Sequence, residues 1–176
     1  DIFIRKLDAL GDFVWAKQFS SYGGSGYDIA VDDSGNVYTT GTIGGTTDFD
    51  PGPGVYNLTT SVALQSEIFT CKLNAAGDFV WANAMGPGEG LALAIDDRGN
   101  TYSCGWAPLG YTPLLYKIDA QGNLIWGKDI GGSYVESIVI DPSGNIYSTG
   151  ACYGTNDFDP GPGVFNLTGA NSDTYI

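Results

Sequence analysis

A thirteen-residue stretch occurs twice in this chain, as Thr47-Asp48-Phe49-Asp50-Pro51-Gly52-Pro53-Gly54-Val55-Tyr56-Asn57-Leu58-Thr59 and as Asn156-Asp157-Phe158-Asp159-Pro160-Gly161-Pro162-Gly163-Val164-Phe165-Asn166-Leu167-Thr168. Eleven of the thirteen positions are identical across a separation of 109 residues, far beyond coincidence, so the chain has to be read first as an internal repeat.

Two further patterns recur around that stretch. Ile2-Phe3-Ile4-Arg5-Lys6-Leu7-Asp8-Ala9-Leu10-Gly11-Asp12-Phe13-Val14-Trp15 reads as strand, turn, strand, with Gly11 supplying the positive φ of a tight hairpin. It returns at Ile68 to Trp81 and, from Leu114 to Trp126, a third time, so that one Trp recurs per repeat. A second hairpin pattern follows each: Asp28-Ile29-Ala30-Val31-Asp32-Asp33-Ser34-Gly35-Asn36-Val37-Tyr38 is matched around Asp96-Asp97-Arg98-Gly99-Asn100 and Asp141-Pro142-Ser143-Gly144-Asn145. An Asp able to close an Asx turn ahead of a Gly-Asn pair is a hairpin signal with a mechanism, and it gives Asp32, Asp96 and Asp141 a structural role.

Two hairpins make a four-stranded antiparallel unit. The spacing from Asp32 to Asp96 is 64 residues and from Asp96 to Asp141 it is 45, the difference being the acidic insertion. Units of four strands at about 40 to 50 residues have the period of β-propeller blades, so the expected fold is all-β with about three blades. The expected periods are 1–66 with the insertion, 67–112 without it and 113–172 with it again, while 173–176 repeats the start of the chain. Three blades fall below the usual four to eight of a closed ring. The expectation is therefore part of a larger propeller or array, with blades contributed by the same longer protein or by other copies.

The motifs "KLDALGDFVWAKQF", "DIAVDDSGNVYTTG" and "DFDPGPGVYNLT" together resemble the SBBP-type β-propeller repeats of long secreted and cell-surface proteins in Bacteroidetes and other bacteria. The resemblance covers essentially the whole chain. It implies a bladed extracellular module, often beside adhesion or secretion-sorting domains, and carries no catalytic residues over. The second repeat departs from the pattern by lacking the acidic insertion.

The acidic insertions are the main candidate site. Asp48 and Asp50, like Asp157 and Asp159, place two carboxylates at i and i+2 beside Gly-rich backbone, an oxygen-rich set suited to Ca²⁺. The competing reading is a metal-free loop stiffened by Pro51, Pro53, Pro160 and Pro162, with Phe49 or Phe158 plugging the blade. Trp15, Trp81 and Trp126 read as packing between blades. A Trp shortly after a Leu-Asp-Ala-x-x-Gly turn is also seen in propeller dehydrogenases that bind pyrroloquinoline quinone, the weaker resemblance. Tyr22, Trp106, Tyr111 and Tyr153, in Gly-rich loops, are candidates for stacking on sugar rings. Asn57-Leu58-Thr59 and Asn166-Leu167-Thr168 match the glycosylation sequon but are explained as strand.

Composition narrows the function. A net charge of −13 argues against nucleic acid and anionic membrane surfaces. The absence of His removes Ser-His-Asp and Cys-His catalysis from the chain. Cys71, Cys104 and Cys152 have no paired spacing and are expected to pack as small apolar residues, with one disulfide as the alternative. No apolar run approaches a membrane span. The expected function is a non-catalytic extracellular or cell-surface module for structure, adhesion or partner display. The alternatives are a glycan- or protein-binding propeller attached to an enzyme, and a quinone-dependent dehydrogenase or polysaccharide lyase.

Overall fold

The structure, a computed structural model, describes residues 1–21, 23–61, 65–106 and 114–170. It divides into two units, Asp1–Gly90 and Leu91–Ile176. In the first, β1 (Ile2–Leu7) pairs with β2 (Phe13–Ser21) and β3 (Ser25–Val31) with β4 (Val37–Ile43). The acidic insertion forms a short hairpin, β5 (Thr46–Asp48) and β6 (Asn57–Thr59), followed by the long pair β7 (Glu67–Leu73) and β8 (Phe79–Pro87). The order β3-β4-β7-β8 makes one antiparallel sheet, and β1-β2-β5-β6 makes another.

The second unit is built around the sheet β12-β11-β10-β9, from β9 (Glu89–Ile95), β10 (Thr101–Trp106), β11 (Leu114–Ile118) and β12 (Leu124–Asp129). Two two-stranded sheets complete it: β13 (Tyr134–Ile140) with β14 (Ile146–Ala151), and β15 (Gly154–Asp157) with β16 (Asn166–Gly169). The described residues contain no helix, as the period-2 patterning and scattered Gly predicted. The blade-like sheets are out of phase with the sequence periods. Each takes its first two strands from the Asp-x-x-Gly-Asn hairpin of one period and its last two from the Trp-bearing hairpin of the next, so sheet boundaries fall inside the periods drawn at 1–66 and 67–112.

Local chemistry makes the hairpins. In the six long hairpin turns among the described residues an Asp or Asn (Asp8, Asp32, Asn74, Asp96, Asp119, Asp141) accepts the N–H groups two and four residues on, at 2.8–3.0 Å. The fourth residue of each turn is a Gly with φ between 76° and 92°, a region other residues rarely adopt. The turn thereby satisfies its own backbone before any other strand arrives.

Burial comes from strand addition. Every residue of β4 is buried, because β3 and β7 flank it and both faces are covered. One core cluster gathers Ile2, Ile4, Phe19, Val37, Ile43, Phe49, Phe69, Cys71, Leu73 and Ala82. A side chain of this size contributes about 1.5–3 kcal/mol when fully buried, so this cluster dominates the first unit. The second unit has a smaller one around Ala92, Tyr102, Cys104, Leu115, Val135 and Ile138.

Candidate functional site

The two acidic loops have the same internal geometry. Asp48 Oδ1 accepts the N–H groups of Asp50 (3.0 Å) and Tyr56 (2.8 Å), and Asp50 Oδ1 accepts that of Gly52 (2.8 Å). The second copy repeats this: Asp157 Oδ1 accepts from Asp159 (3.0 Å) and Phe165 (2.8 Å), and Asp159 Oδ1 from Gly161 (2.7 Å). The backbone bonds Phe49 N–H to Tyr56 C=O and Phe158 N–H to Phe165 C=O close each loop at 2.9 Å. The glycines leave room for the carboxylates, which a side chain there would displace. A Cβ on Gly54 or Gly163 falls 2.1 Å from the second oxygen of Asp50 or Asp159. These four carboxylates thus hold their own loops together, and backbone N–H donation keeps Asp157 below its ordinary range, the Asp159 N–H first and the Phe165 N–H next.

Among the described residues no group of three or more Asp, Glu, Cys or His gathers as a metal cage. A Ca²⁺ ion at either loop has two carboxylates to draw on and must take most of its six to eight oxygens from carbonyls and water. The aromatic between the two acids has a clear packing role in the first copy. Phe49 is fully buried, with its ring centroid 5.0 Å from those of both Phe19 and Phe69. Tyr56 adds a tilted ring contact with Phe79 at 4.6 Å and donates to the Ala82 carbonyl at 3.3 Å.

Of the proposed sugar-stacking residues, Tyr22 and Tyr111 lie outside the described residues. Trp106 and Tyr153 are both exposed, at 39% and 43%. The ring that Tyr153 meets is Tyr134, with hydroxyls 2.8 Å apart. That hydroxyl contact is the main cause raising the Tyr134 pKa, with desolvation second. Cys71 and Cys104 are fully buried and Cys152 half-buried, all three as free thiols. Burial pushes the Cys71 thiol well above its ordinary range, as suits a packing residue.

The structure adds a feature that the reading of single motifs did not assemble. Cross-strand register places Tyr38, Lys72 and Trp81 in one row over β4, β7 and β8. The Lys72 ammonium lies 4.8 Å above the Tyr38 ring, and Trp81 meets the same ring edge-on at 6.2 Å. Tyr102, Lys117 and Trp126 repeat the row over β10, β11 and β12, at 4.9 Å and 6.2 Å. The tyrosine hydroxyls donate back to the turn aspartates, Tyr38 to Asp32 at 3.1 Å and Tyr102 to Asp96 at 3.2 Å. Burial is the largest influence on Asp32 and Asp96 and works to raise their pKa. The summed hydrogen bonds, led by the Asn36 and Asn100 amides, outweigh it and hold both carboxyls below the ordinary value. Burial, and then the bond to Asp32, pushes the Tyr38 hydroxyl far up. The signal for the row was present in sequence as a Tyr two residues after each Gly-Asn pair and a Lys nine residues before each Trp.

Glu67 is a second such residue. It is a buried carboxylate at the start of β7, bonded by the Ser61 hydroxyl and by the Ser61 N–H at 2.6 Å. It occupies the place that Asp1, which accepts from Ser21 N–H and Gln18, holds ahead of β1.

Four-stranded antiparallel sheets in sequence order, joined through recurring hairpins with one Trp each, define propeller blades. Residues 14–50, from within β2 through β3, β4 and β5 to Asp50, match the family model described as SBBP, a beta-propeller repeat. The matched segment carries Trp15, the Asp32 turn and the first two acids of the insertion. Comparison with characterised proteins yields no significant match.

Proposed function

We propose that the chain is a non-catalytic extracellular or cell-surface scaffold, a propeller module whose rigid sheets display variable loops for structure, adhesion or partner binding. The observation that carries this reading is the use of the repeated acids. Asp32, Asp96 and Asp141 are bonded within their turns, and Asp48, Asp50, Asp157 and Asp159 within their loops, so the recurrent carboxylates serve the backbone. The absence of His from the sequence and the resemblance to secreted repeat proteins support the same reading.

The test is a binding screen of the purified chain against immobilised polysaccharides and glycoproteins, run beside a dye-reduction assay with pyrroloquinoline quinone and alcohol or sugar substrates. The scaffold reading expects no dye reduction. Turnover with the quinone overturns the non-catalytic assignment. The exposure of Trp106 and Tyr153 favours a second reading, a glycan-binding face. Polysaccharide binding that Trp106→Ala and Tyr153→Ala abolish, at unchanged melting temperature, replaces simple display with that reading. Calcium drawing on Asp48 and Asp50, or on Asp157 and Asp159, is the competing role for the acidic loops, which this reading expects to be too weak to stabilise the chain.

A further inference from the structure

The turns at Asp96 and Asp141 bound one cleft of the second unit. It encloses about 180 Å³ and is lined by both turns together with Tyr102 and Lys117. Neither wall is an open strand edge. One turn joins β9 to β10 and the other joins β13 to β14, and each is closed by its own hydrogen bonds. The volume falls below the roughly 300–1,000 Å³ that holds a drug-sized ligand, so the space suits a single small ring.

Two of the carboxylates in the cleft are already engaged. Asp96 accepts from the Arg98 and Asn100 N–H groups, the Asn100 amide and the Tyr102 hydroxyl, at 2.7–3.2 Å. Asp141 accepts the matching four from Ser143, Asn145 and Tyr147, at 2.7–3.3 Å. The groups left over are of both polarities. Lys117 is half-buried with its ammonium 4.9 Å above the Tyr102 ring, and among the described residues it has no hydrogen bond or ion pair from its side chain. The exposed Asp97 carboxylate and Arg98 guanidinium are equally unengaged among the described residues, and Ser143 adds a hydroxyl. Arg98 stands where the other two turns of this kind carry Ser34 and Ser143, so the turn itself does not require it.

We propose that this cleft binds one neutral sugar ring, with Lys117 and Arg98 donating to its hydroxyl oxygens and Asp97 and Ser143 accepting from its hydroxyl groups. A hydroxyl both donates and accepts, so neighbouring hydroxyls on a ring complement a set of unengaged ammonium, guanidinium and carboxylate groups. Charge decides against an anion. Three carboxylates (Asp96, Asp97, Asp141) against two cations (Arg98, Lys117) leave the cleft at a formal −1, on a chain that carries −13. The lining is mainly charged and polar, which decides against an apolar ligand. The cleft is separate from the exposed aromatics of the glycan-face reading, since Tyr102 stands beside the turn at the start of β10 and Trp106 at its far end. The inference gives the scaffold a ligand of its own and draws on neither Trp106 nor Tyr153.

The test is a titration of the intact chain with methyl glucoside, methyl galactoside and methyl mannoside to about 50 mM, read by amide NMR shifts. The expected result is a saturable shift of the Asp97, Arg98, Gly99, Ser143 and Gly144 amides with at least one of the three, at a Kd on the order of millimolar for one small ring. Lys117→Met is expected to raise that Kd at least about tenfold, Asp97→Asn about five- to tenfold and Arg98→Ser about two- to fivefold. The last two sit on an exposed turn and are expected to leave the melting temperature within about 1 °C, so they read binding apart from folding. Trp106→Ala is expected to leave the Kd unchanged. Absence of a saturable shift at these two turns with all three sugars overturns the proposal. A Kd indifferent to both Asp97→Asn and Arg98→Ser does the same. Glucuronate or glycine binding at these turns more tightly than every neutral sugar overturns the assignment of the ligand. None of these readouts involves dye reduction or the exposed aromatics, so the inference and the readings above fail separately.

Discussion

The hairpins β3–β4 and β13–β14 make an informative comparison. Their turns are the same to within a tenth of an ångström: Asp32 and Asp141 each accept from the residues two and four on, at 3.0 and 2.9 Å in one and 2.9 and 2.8 Å in the other. Their strands are nearly the same sequence, Asn36-Val37-Tyr38-Thr39-Thr40-Gly41 against Asn145-Ile146-Tyr147-Ser148-Thr149-Gly150. Yet β4 is buried throughout and β14 is exposed at five of six residues. The acidic loops repeat the contrast, with matching internal bonds but Phe49 fully buried and Phe158 half-buried. Local hydrogen bonding builds the hairpin and the loop. Core burial arrives only with the strand that pairs next, here β7 against β4.

The sharpest way to break this comparison is to truncate the two loop aromatics. Phe49→Ala is expected to cost about 3–5 kcal/mol in urea unfolding, the usual range for a fully buried Phe. Phe158→Ala, at a half-buried ring, is expected to cost less than about 1 kcal/mol. Equal losses mean that the loop, and not the neighbouring strand, determines the packing.

Acid should act on both hairpins alike, because the turns are alike. Asp32, Asp96 and Asp141 have folded pKa values below their ordinary 3.8. The unfolded chain therefore binds protons first, and the stability these carboxylates supply is complete above about pH 4 and lost as pH falls through the lower folded values. The melting temperature is expected to be flat from pH 7 to 5 and to drop below pH 4. Asp32→Asn should remove part of that drop, and a melting curve insensitive to acid contradicts the turn assignment.

A smaller contrast lies in the strand hydroxyls. Thr40 is fully buried and donates to the Phe69 carbonyl at 2.7 Å, so Thr40→Val is expected to cost about 1 kcal/mol by differential unfolding. The matching Thr149→Val on exposed β14 should fall within about 0.5 kcal/mol of zero.

Calcium is expected to have the smallest effect. With one oxygen of each loop Asp already accepting backbone N–H groups, millimolar Ca²⁺ should move the melting temperature by less than about 1 °C. A rise of several degrees that Asp50→Asn and Asp159→Asn abolish establishes the loops as calcium sites.

Much of the fold was legible in particular residues. Gly11, Gly35, Gly77, Gly99, Gly122 and Gly144 all adopt the positive φ that their turn positions predicted. The strand pairs lie on either side of those turns, where alternation placed them. The phase of the sheets was not legible, because a repeat reads the same from any starting point and only long-range pairing, such as Val37 with Leu73, shows where one sheet ends. The tyrosine row was hidden for the same reason: Tyr38, Lys72 and Trp81 are dispersed over three strands, and register alone brings them together.

The sequence by itself determined the turns, the repeated acids and the number of hairpins, since each depends on contacts within a few residues. The acidic stretch that recurs 109 residues apart was already a closed loop by its own chemistry, two carboxylates folded onto backbone N–H groups and glycines. Only the tertiary structure decided that one copy is a core plug and the other a half-covered surface. That difference rests on whether a strand bearing Phe69 lies alongside, a partner that no residue within the loop specifies.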